Sequence, residues 1–238
     1  MHRNENHLQH QALAFLNEKP LLRVAPLFAF DRGRVEIMAL LKDGLLFKDQ
    51  DSDIVFLCAD SDETALDLLE ALTDCDIMVF ERVNLDGHIR KRYGFTWHTP
   101  VYNTIYEKKT PVPVDPDFTL RPLSLADYPL VRAHYDLIGD EGLTYHLKRG
   151  DMLGGYVAGE MVGFIGRHEE GSMGMLYVLP QYRRRGYAWQ LEGHLINRVL
   201  ASGERVFGQV IVGNHASLAL QRKMGMTICE EVTSWMGK

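Results

Sequence analysis

Leu176-Tyr177-Val178-Leu179-Pro180-Gln181-Tyr182-Arg183-Arg184-Arg185-Gly186-Tyr187-Ala188 is the stretch that decides how this chain is read. An apolar, β-branched approach stops at Pro180, which cannot donate to a strand ladder. Three arginines follow, then Gly186, then the small residue Ala188 as a helix begins near Tyr187. A strand-to-helix junction of this composition forms an anion seat. The first turn of a helix has N–H groups without intrahelical partners and the positive end of the helix dipole. A phosphate placed there accepts several of those N–H groups. Gly186 lets a ligand approach the backbone without meeting a Cβ, and Ala188 keeps the first turn slim.

Outward from the loop, the pattern predicts a helix from Tyr187 to about Ala201, a strand over Arg205–Val212, a helix over Ala216–Lys223 and a last strand near Met226–Thr233. Upstream it predicts strands over Phe118–Arg121, Met152–Val157, Met161–Arg167 and Met173–Leu179, and a helix over 141–149. Ser124 with Asp127 forms a capping-box pattern at a further helix start. Lys108-Lys109-Thr110-Pro111-Val112-Pro113-Val114-Asp115-Pro116-Asp117 holds three alternating prolines, which favour an extended connector. The expected organisation is an N-terminal domain over 1–112, a linker over 113–117 and a second domain over 118–238. In the first domain, 6–18 reads as a helix ended by Pro20. Ile54–Leu57, then a helix after Ser61 to Leu72, then Ile77–Phe80 read as strand, helix and strand.

Composition narrows the class. The chain has 238 residues, 46% hydrophobic and 24% charged, which suits a soluble globular protein with a real core. No run approaches the roughly 20 apolar residues of a membrane helix, and the N-terminus has no apolar leader-like segment, so a cytoplasmic location without membrane association is expected. Cys58, Cys75 and Cys229 are odd in number and far apart, so reduced thiols are expected and no metal site. The net charge of −6 is uneven: residues 1–117 hold 13 basic and 20 acidic side chains, residues 118–238 hold 13 and 12. An acidic half and one local arginine cluster argue against nucleic acid as a partner and for a single anionic ligand.

The loop resembles the acyl-CoA segment of the GNAT superfamily, Val-x-Pro-x-x-Arg/Gln-x-x-Gly-x-Gly/Ala, with Val178, Pro180, Arg183, Gly186 and Ala188 at the specified places. Asn214-His215-Ala216-Ser217-Leu218-Ala219-Leu220-Gln221-Arg222-Lys223-Met224-Gly225-Met226 is similar to a second superfamily segment, except that Gln221 stands where a tyrosine is usual. The resemblance covers about residues 118–238. It implies an α/β (α+β) fold: a mixed, mostly antiparallel sheet flanked by helices, here preceded by a smaller α/β N-terminal domain that is a candidate degenerate copy of the same fold. A two-domain layout, Leu22-Arg23-Val24 with Phe30-Asp31-Arg32-Gly33, Tyr182-Arg183 and Trp235 resemble the glycine N-acyltransferase branch.

The resemblance also implies acetyl-CoA or another acyl-CoA as co-substrate and no metal. The residues it assigns to that ligand are Tyr177, Val178, Arg183, Arg184, Arg185, Gly186, Tyr187, Ala188, Asn214 and Ser217. Its pantetheine arm would enter between Met173–Leu179 and Arg205–Val212, where central strands splay, and pair with the backbone near Tyr177 and Val178. A backbone N–H there would stabilise an oxyanion as an amine attacks. The attacking amine must be neutral, so a base is needed. Glu170, His168 and Tyr177 are the candidate catalytic residues. Ser172 stands where the branch has a glutamate, and Gln221 cannot serve as the general acid that a tyrosine would be. Other readings stand beside these: Glu169 and Glu170 facing solvent on a hairpin, Asn214 as a helix cap, Trp189 as core, Tyr145 and His146 as helix packing. The expected function is transfer of an acyl group, acetyl first, to a primary amine of a small molecule such as an amino acid, by a monomer or homodimer. A protein N-terminus or lysine as acceptor, and a non-catalytic acyl-CoA sensor or scaffold, are the alternatives.

Overall fold

The computed structural model describes residues 2–238. In chain order its elements are α1 (His2–Leu16), α2 (Val24–Arg32), β1 (Val35–Leu41), β2 (Gly44–Asp49), β3 (Val55–Ala59), α3 (Asp62–Leu69), β4 (Ile77–Phe80), α4 (Asp86–Tyr93) and β5 (Trp97–Ile105). Then come β6 (Thr119–Pro122), α5 (Tyr128–Arg132), α6 (Asp140–Arg149), β7 (Met152–Val157), β8 (Glu160–Arg167), β9 (Met173–Val178), α7 (Tyr187–Ser202), β10 (Phe207–Ile211), α8 (His215–Met224) and β11 (Thr227–Gly237). The chain divides into two compact units. The first runs to Ile105 and also takes Gln209–His215 and Ile228–Lys238; the second is Tyr106–Gly208 with Ala216–Thr227. No described helix is long and apolar enough to cross a membrane.

In the first unit β1, β2 and β3 pair antiparallel, β4 lies parallel to β3, and β11 is antiparallel to β4. Ser61 caps α3, its hydroxyl accepting from the Thr64 N–H. Ala65, Leu68 and Leu69 of α3 bury against Leu46, Leu57, Met78 and Phe80. A wholly buried cation organises the other end. Arg23 donates to Glu81 at 2.7 Å, to Asp60 at 2.7 Å and to the Phe15 carbonyl at 2.8 Å, and stacks 3.9 Å over the Phe15 ring. Burial raises the Glu81 pKa, and Arg23 works against that rise.

In the second unit β6, β7, β8 and β9 pair antiparallel, and β10 joins β9 in parallel with Gly208 opposite Met173. Two apolar clusters flank this sheet. Leu191, Leu195, Ile196 and Val199 of α7 pack with Leu153, Val162, Ile165 and Met173 on one face. Val131 of α5, with Leu143 and Leu147 of α6, packs with Met152, Phe164 and Met175 on the other. The proline-rich stretch is extended but not free. The backbone of Val112 is bonded both ways by the Asn197 side chain, at 2.7 and 2.9 Å. Gln190 receives the Asp115 N–H and Trp189 donates to the Pro113 carbonyl. An extended segment makes no backbone bonds of its own, and the polar side chains of α7 supply them.

Strand β9 carries an extra residue. Phe164 faces Tyr177 and Gly166 faces Gly174, so one residue of β8 opposes Met175 and Leu176 together. Met175 takes φ +52°, a left-handed conformation rare for a bulky residue. Without the bulge Tyr177 would share a face with Met173, toward α7. With it, Tyr177 joins Met175 and Phe164 on the α5–α6 face, while Leu176 and Val178 turn to α7.

Replacing Arg23 by Met is expected to strand the Glu81 carboxylate. The loss expected is about 3–5 kcal/mol, a fall in melting temperature of roughly 6–20 °C by calorimetry, with Arg23→Met/Glu81→Met recovering most of it.

Candidate active site

The loop after β9 has the shape its sequence implies. Leu179 donates to the Val162 carbonyl at 3.0 Å, so the chain stays fastened to β8 up to Pro180. Pro180–Tyr182 makes one tight turn and Arg183 is extended again. Arg184 then takes φ +63° and Gly186 φ +84°. Gly186 is the N-cap of α7 and contributes no side-chain cap. The N–H groups of the first turn of α7 are therefore turned toward the exposed basic loop. A Cβ at residue 186 would meet nothing within 4 Å, so the requirement for glycine there is conformational.

Arg183 does not project freely. Its Nε donates to the Val178 carbonyl at 3.1 Å, its Nη2 donates to the Tyr177 hydroxyl at 2.8 Å, and its guanidinium lies 5.1 Å from the Tyr177 ring centroid. Arg185 lies 5.9 Å from the Tyr182 ring centroid. The structure thus gathers Tyr177, Val178, Arg183, Arg184, Arg185, Gly186, Tyr187 and Ala188 around one helix terminus. Asn214 immediately precedes α8, its N–H bonded to the Ile211 carbonyl at 2.9 Å, and Ser217 lies in the first turn of α8.

On the α5–α6 face, Tyr177 is stacked between His134 and Phe164, at centroid distances of 5.0 and 5.6 Å. Tyr135 packs edge-on to Phe164 at 6.4 Å. The Tyr135 phenol is pushed up to about 12 by burial, with the charges of Asp136 and Glu170 adding to it. Glu170 is the correction to the hairpin reading: Glu169 is exposed, but Glu170 is 4% exposed. Its Oε1 accepts a short hydrogen bond from the Ser172 hydroxyl. The Glu170 carboxylate thus lies beside Ser172 in the hairpin turn. His168 is half-buried and lies over Gly174, where a Cβ would come within 2.5 Å of its Nε2. The His146 ring meets His168 at 6.2 Å and its Nδ1 is 3.3 Å from Asp151.

Sequence reasoning missed a second buried carboxylate. Glu192 of α7 is 4% exposed and accepts from Gln221 of α8 through Oε1, at 2.5 Å, while its Oε2 is buried without a partner. Burial pushes its pKa up to about 7, with the Gln221 hydrogen bond opposing the rise. The signal available in the sequence was the missing tyrosine at 221. A glutamine there fits a neighbour that needs an amide.

Residues 152–236 match the family model described as FR47-like protein. No match is found among curated proteins. Among solved structures, a Drosophila protein aligns over 98% of this chain and 96% of its own, with a TM-score of 0.70 and 18% identity. A GCN5-related N-acetyltransferase-like protein from Streptococcus suis 89/1591 aligns over 96% and 100%, with a TM-score of 0.50 and 15% identity. A GCN5-related N-acetyltransferase from Kribbella flavida aligns over 92% and 95%, with a TM-score of 0.51 and 11% identity. At such identities the likeness is one of fold. The chain therefore has the fold of the GCN5-related N-acetyltransferases, the GNAT superfamily, and the mixed, mostly antiparallel sheet expected from the loop motif is present.

The raised pKa of Glu192 has a sign. Its folded value lies above the ordinary 4.5, so the stability it permits is fully present below about pH 4.5 and is lost as pH rises through about 7. Glu192→Gln is expected to remove a penalty on the order of 3 kcal/mol at pH 8. Melting curves from pH 5 to 8 check this: the parent should lose stability across that window relative to the variant.

Proposed function

We propose that the chain transfers an acyl group, acetyl first, from acyl-CoA to a primary amine of a small molecule such as an amino acid. The observation that carries this reading is the Val178–Ala188 loop. It combines uncapped N–H groups at a helix N-terminus, two left-handed residues and three arginines, all on the exposed end of a strand. That donor set fits a pyrophosphate, whose oxygens accept backbone N–H bonds while Arg184 and Arg185 supply charge. Arg183, tied to Tyr177 and Val178, sets the shape of the loop and ends beside both ligand and acyl site.

Each face of β9 then has a task. Leu176 and Val178 present backbone groups to the ligand's arm past the bulge, and an N–H there stabilises negative charge growing on the thioester carbonyl oxygen. Tyr177, His134 and Tyr135 line the acceptor side. Glu170 is the base for the amine: Ser172 holds one carboxylate oxygen by donating to it, and the other accepts the proton. His168 shapes the same end of β9 by covering Gly174. Attack is direct, with amine and acyl donor bound together, since no cysteine or serine is set up as a nucleophile in this scheme. Gln221 favours one second reading, a non-catalytic acyl-CoA sensor, because an amide bonded to Glu192 cannot act as a general acid.

Acetyl-CoA at about 100 times its dissociation constant should stabilise the parent by about 2.7 kcal/mol, a shift of roughly 5–10 °C. Gly186→Glu should abolish the shift, since a glutamate strains φ +84° and repels the phosphates. No shift in the parent would remove the acyl-CoA reading.

Release of free CoA across a panel of primary amines separates enzyme from sensor. Glu170→Gln should lower kcat about 10²-fold or more while keeping the thermal shift. Unchanged turnover in that variant would reassign the base.

A further inference from the structure

Helices α7 and α8 meet along a seam. Met224 comes within 3.5 Å of a Cβ built on Gly193, and Lys223 lies 5.4 Å from the Trp189 ring centroid. Between them sit Glu192 and Gln221, both buried and bonded to each other. Buried polar groups are as a rule fully paired, and an unpaired one in a native fold calls for an explanation. Here Glu192 Oε2 is buried and has no partner, in a carboxyl group that is 4% exposed.

Position supplies the explanation. Ala188 and Glu192 are four residues apart on α7, and Ser217 and Gln221 are four apart on α8. Residues at that spacing share a helix face, one turn apart. Ala188 closes the loop that seats the pyrophosphate, and Ser217 is the residue of α8 assigned to the same ligand. Glu192 and Gln221 thus mark the point one turn further in, where the two ligand-bearing faces converge. From Tyr187 to Glu192 the axial advance is about 7.5 Å, and a helical side chain leans back toward the N-terminus. That is within the reach of the arm that leads away from a pyrophosphate.

We propose that Glu192 is a ligand-binding residue whose unpartnered carboxyl oxygen donates a hydrogen bond to an amide carbonyl of the pantetheine arm, while Gln221 holds the other oxygen. This rests on the acyl-CoA reading above and assigns one contact within it. The donor is the carboxylic acid O–H, so the contact exists only in the protonated form. A pKa near 7 makes its strength fall across the neutral range. The only neighbour that shifts Glu192 besides burial itself is the uncharged Gln221, so the titration belongs to this carboxyl alone. No covalent step involves it.

The test is equilibrium binding of acetyl-CoA and of ADP, which has the pyrophosphate but no arm, between pH 6.5 and 8.5. In the parent, acetyl-CoA affinity should fall about tenfold relative to ADP over that window, the worth of one hydrogen bond. Glu192→Gln keeps an N–H donor in place of the O–H, so its ratio should be close to the parent's at pH 6.5 and should change with pH only through the ionisation of the ligands' own phosphates. Glu192→Met, of similar volume, should lose about tenfold for acetyl-CoA and nothing for ADP at pH 6.5. A parent ratio that changes with pH no more than that of Glu192→Gln, or a Glu192→Met variant that loses both ligands equally, would overturn the assignment and leave Glu192 a structural group. Binding of neither ligand by the parent would instead overturn the acyl-CoA reading, and this contact with it.

Discussion

One extra residue in β9 fixes the geometry of everything around the loop. Sheet side chains alternate with a period of two, so inserting a single residue moves every later side chain to the opposite face. The insertion at Met175 costs a left-handed φ at a bulky residue. In return Tyr177 faces α5 and α6, where His134 and Phe164 clamp its ring, and Val178 faces α7. Arg183 can reach the Tyr177 hydroxyl and the Val178 carbonyl at once only because those two residues stand at the strand end in that order. The shape of the arginine loop and the aromatic wall thus both follow from one register shift.

Three buried glutamates show how a partner sets the chemistry of a carboxyl group. Glu81 faces the guanidinium of Arg23, a full opposite charge with two donors, and its role is to hold the first unit together. Glu170 has the Ser172 hydroxyl, a lone neutral donor that leaves an oxygen for proton transfer. Glu192 has only the Gln221 amide, too weak a partner to offset burial, and so its pKa climbs to about 7. Arg23 opposes the burial of Glu81 with a full charge, whereas Gln221 opposes that of Glu192 with a neutral amide alone.

The second unit was largely legible in the sequence because its signals are local. Pro180 and Gly186 bracket the loop, Ser124 with Asp127 caps as expected, and β7 and β9 begin where the alternation begins. The first unit was read less fully. Residues 24–32 fold as a helix although Pro26 sits near its start, where proline is tolerated. Residues 97–105 fold as a strand with a proline inside. Neither has the period or punctuation that marks an element, and both are set by tertiary partners: Arg23 at the start of α2, and the neighbouring strands in the case of β5. The order β4-β11-β5 was equally hidden, since it places the last strand of the chain between two early ones.

The candidate site divides along the same line. The anion seat is contiguous in sequence and was read residue by residue. The proposed acceptor face is assembled from the turn after α5, β8, the β8–β9 hairpin and β9, so His134 and Tyr135 could not be placed beside Tyr177 before the fold was known. Glu170 was the hardest to read because hairpin position predicts exposure, whereas burial here follows from the hydroxyl of Ser172 two residues away. Both residues lie in the turn between β8 and β9, where the chain reverses and brings the two side chains together. Serine at 172 is therefore compatible with Glu170 as the proposed base: the small hydroxyl leaves room for Glu170 to fold over it and bonds the carboxylate in place. On the proposed reading the carboxylate comes from a neighbouring residue of the turn and not from position 172 itself. Motif matching, which compares position with position, sees that only as a loss.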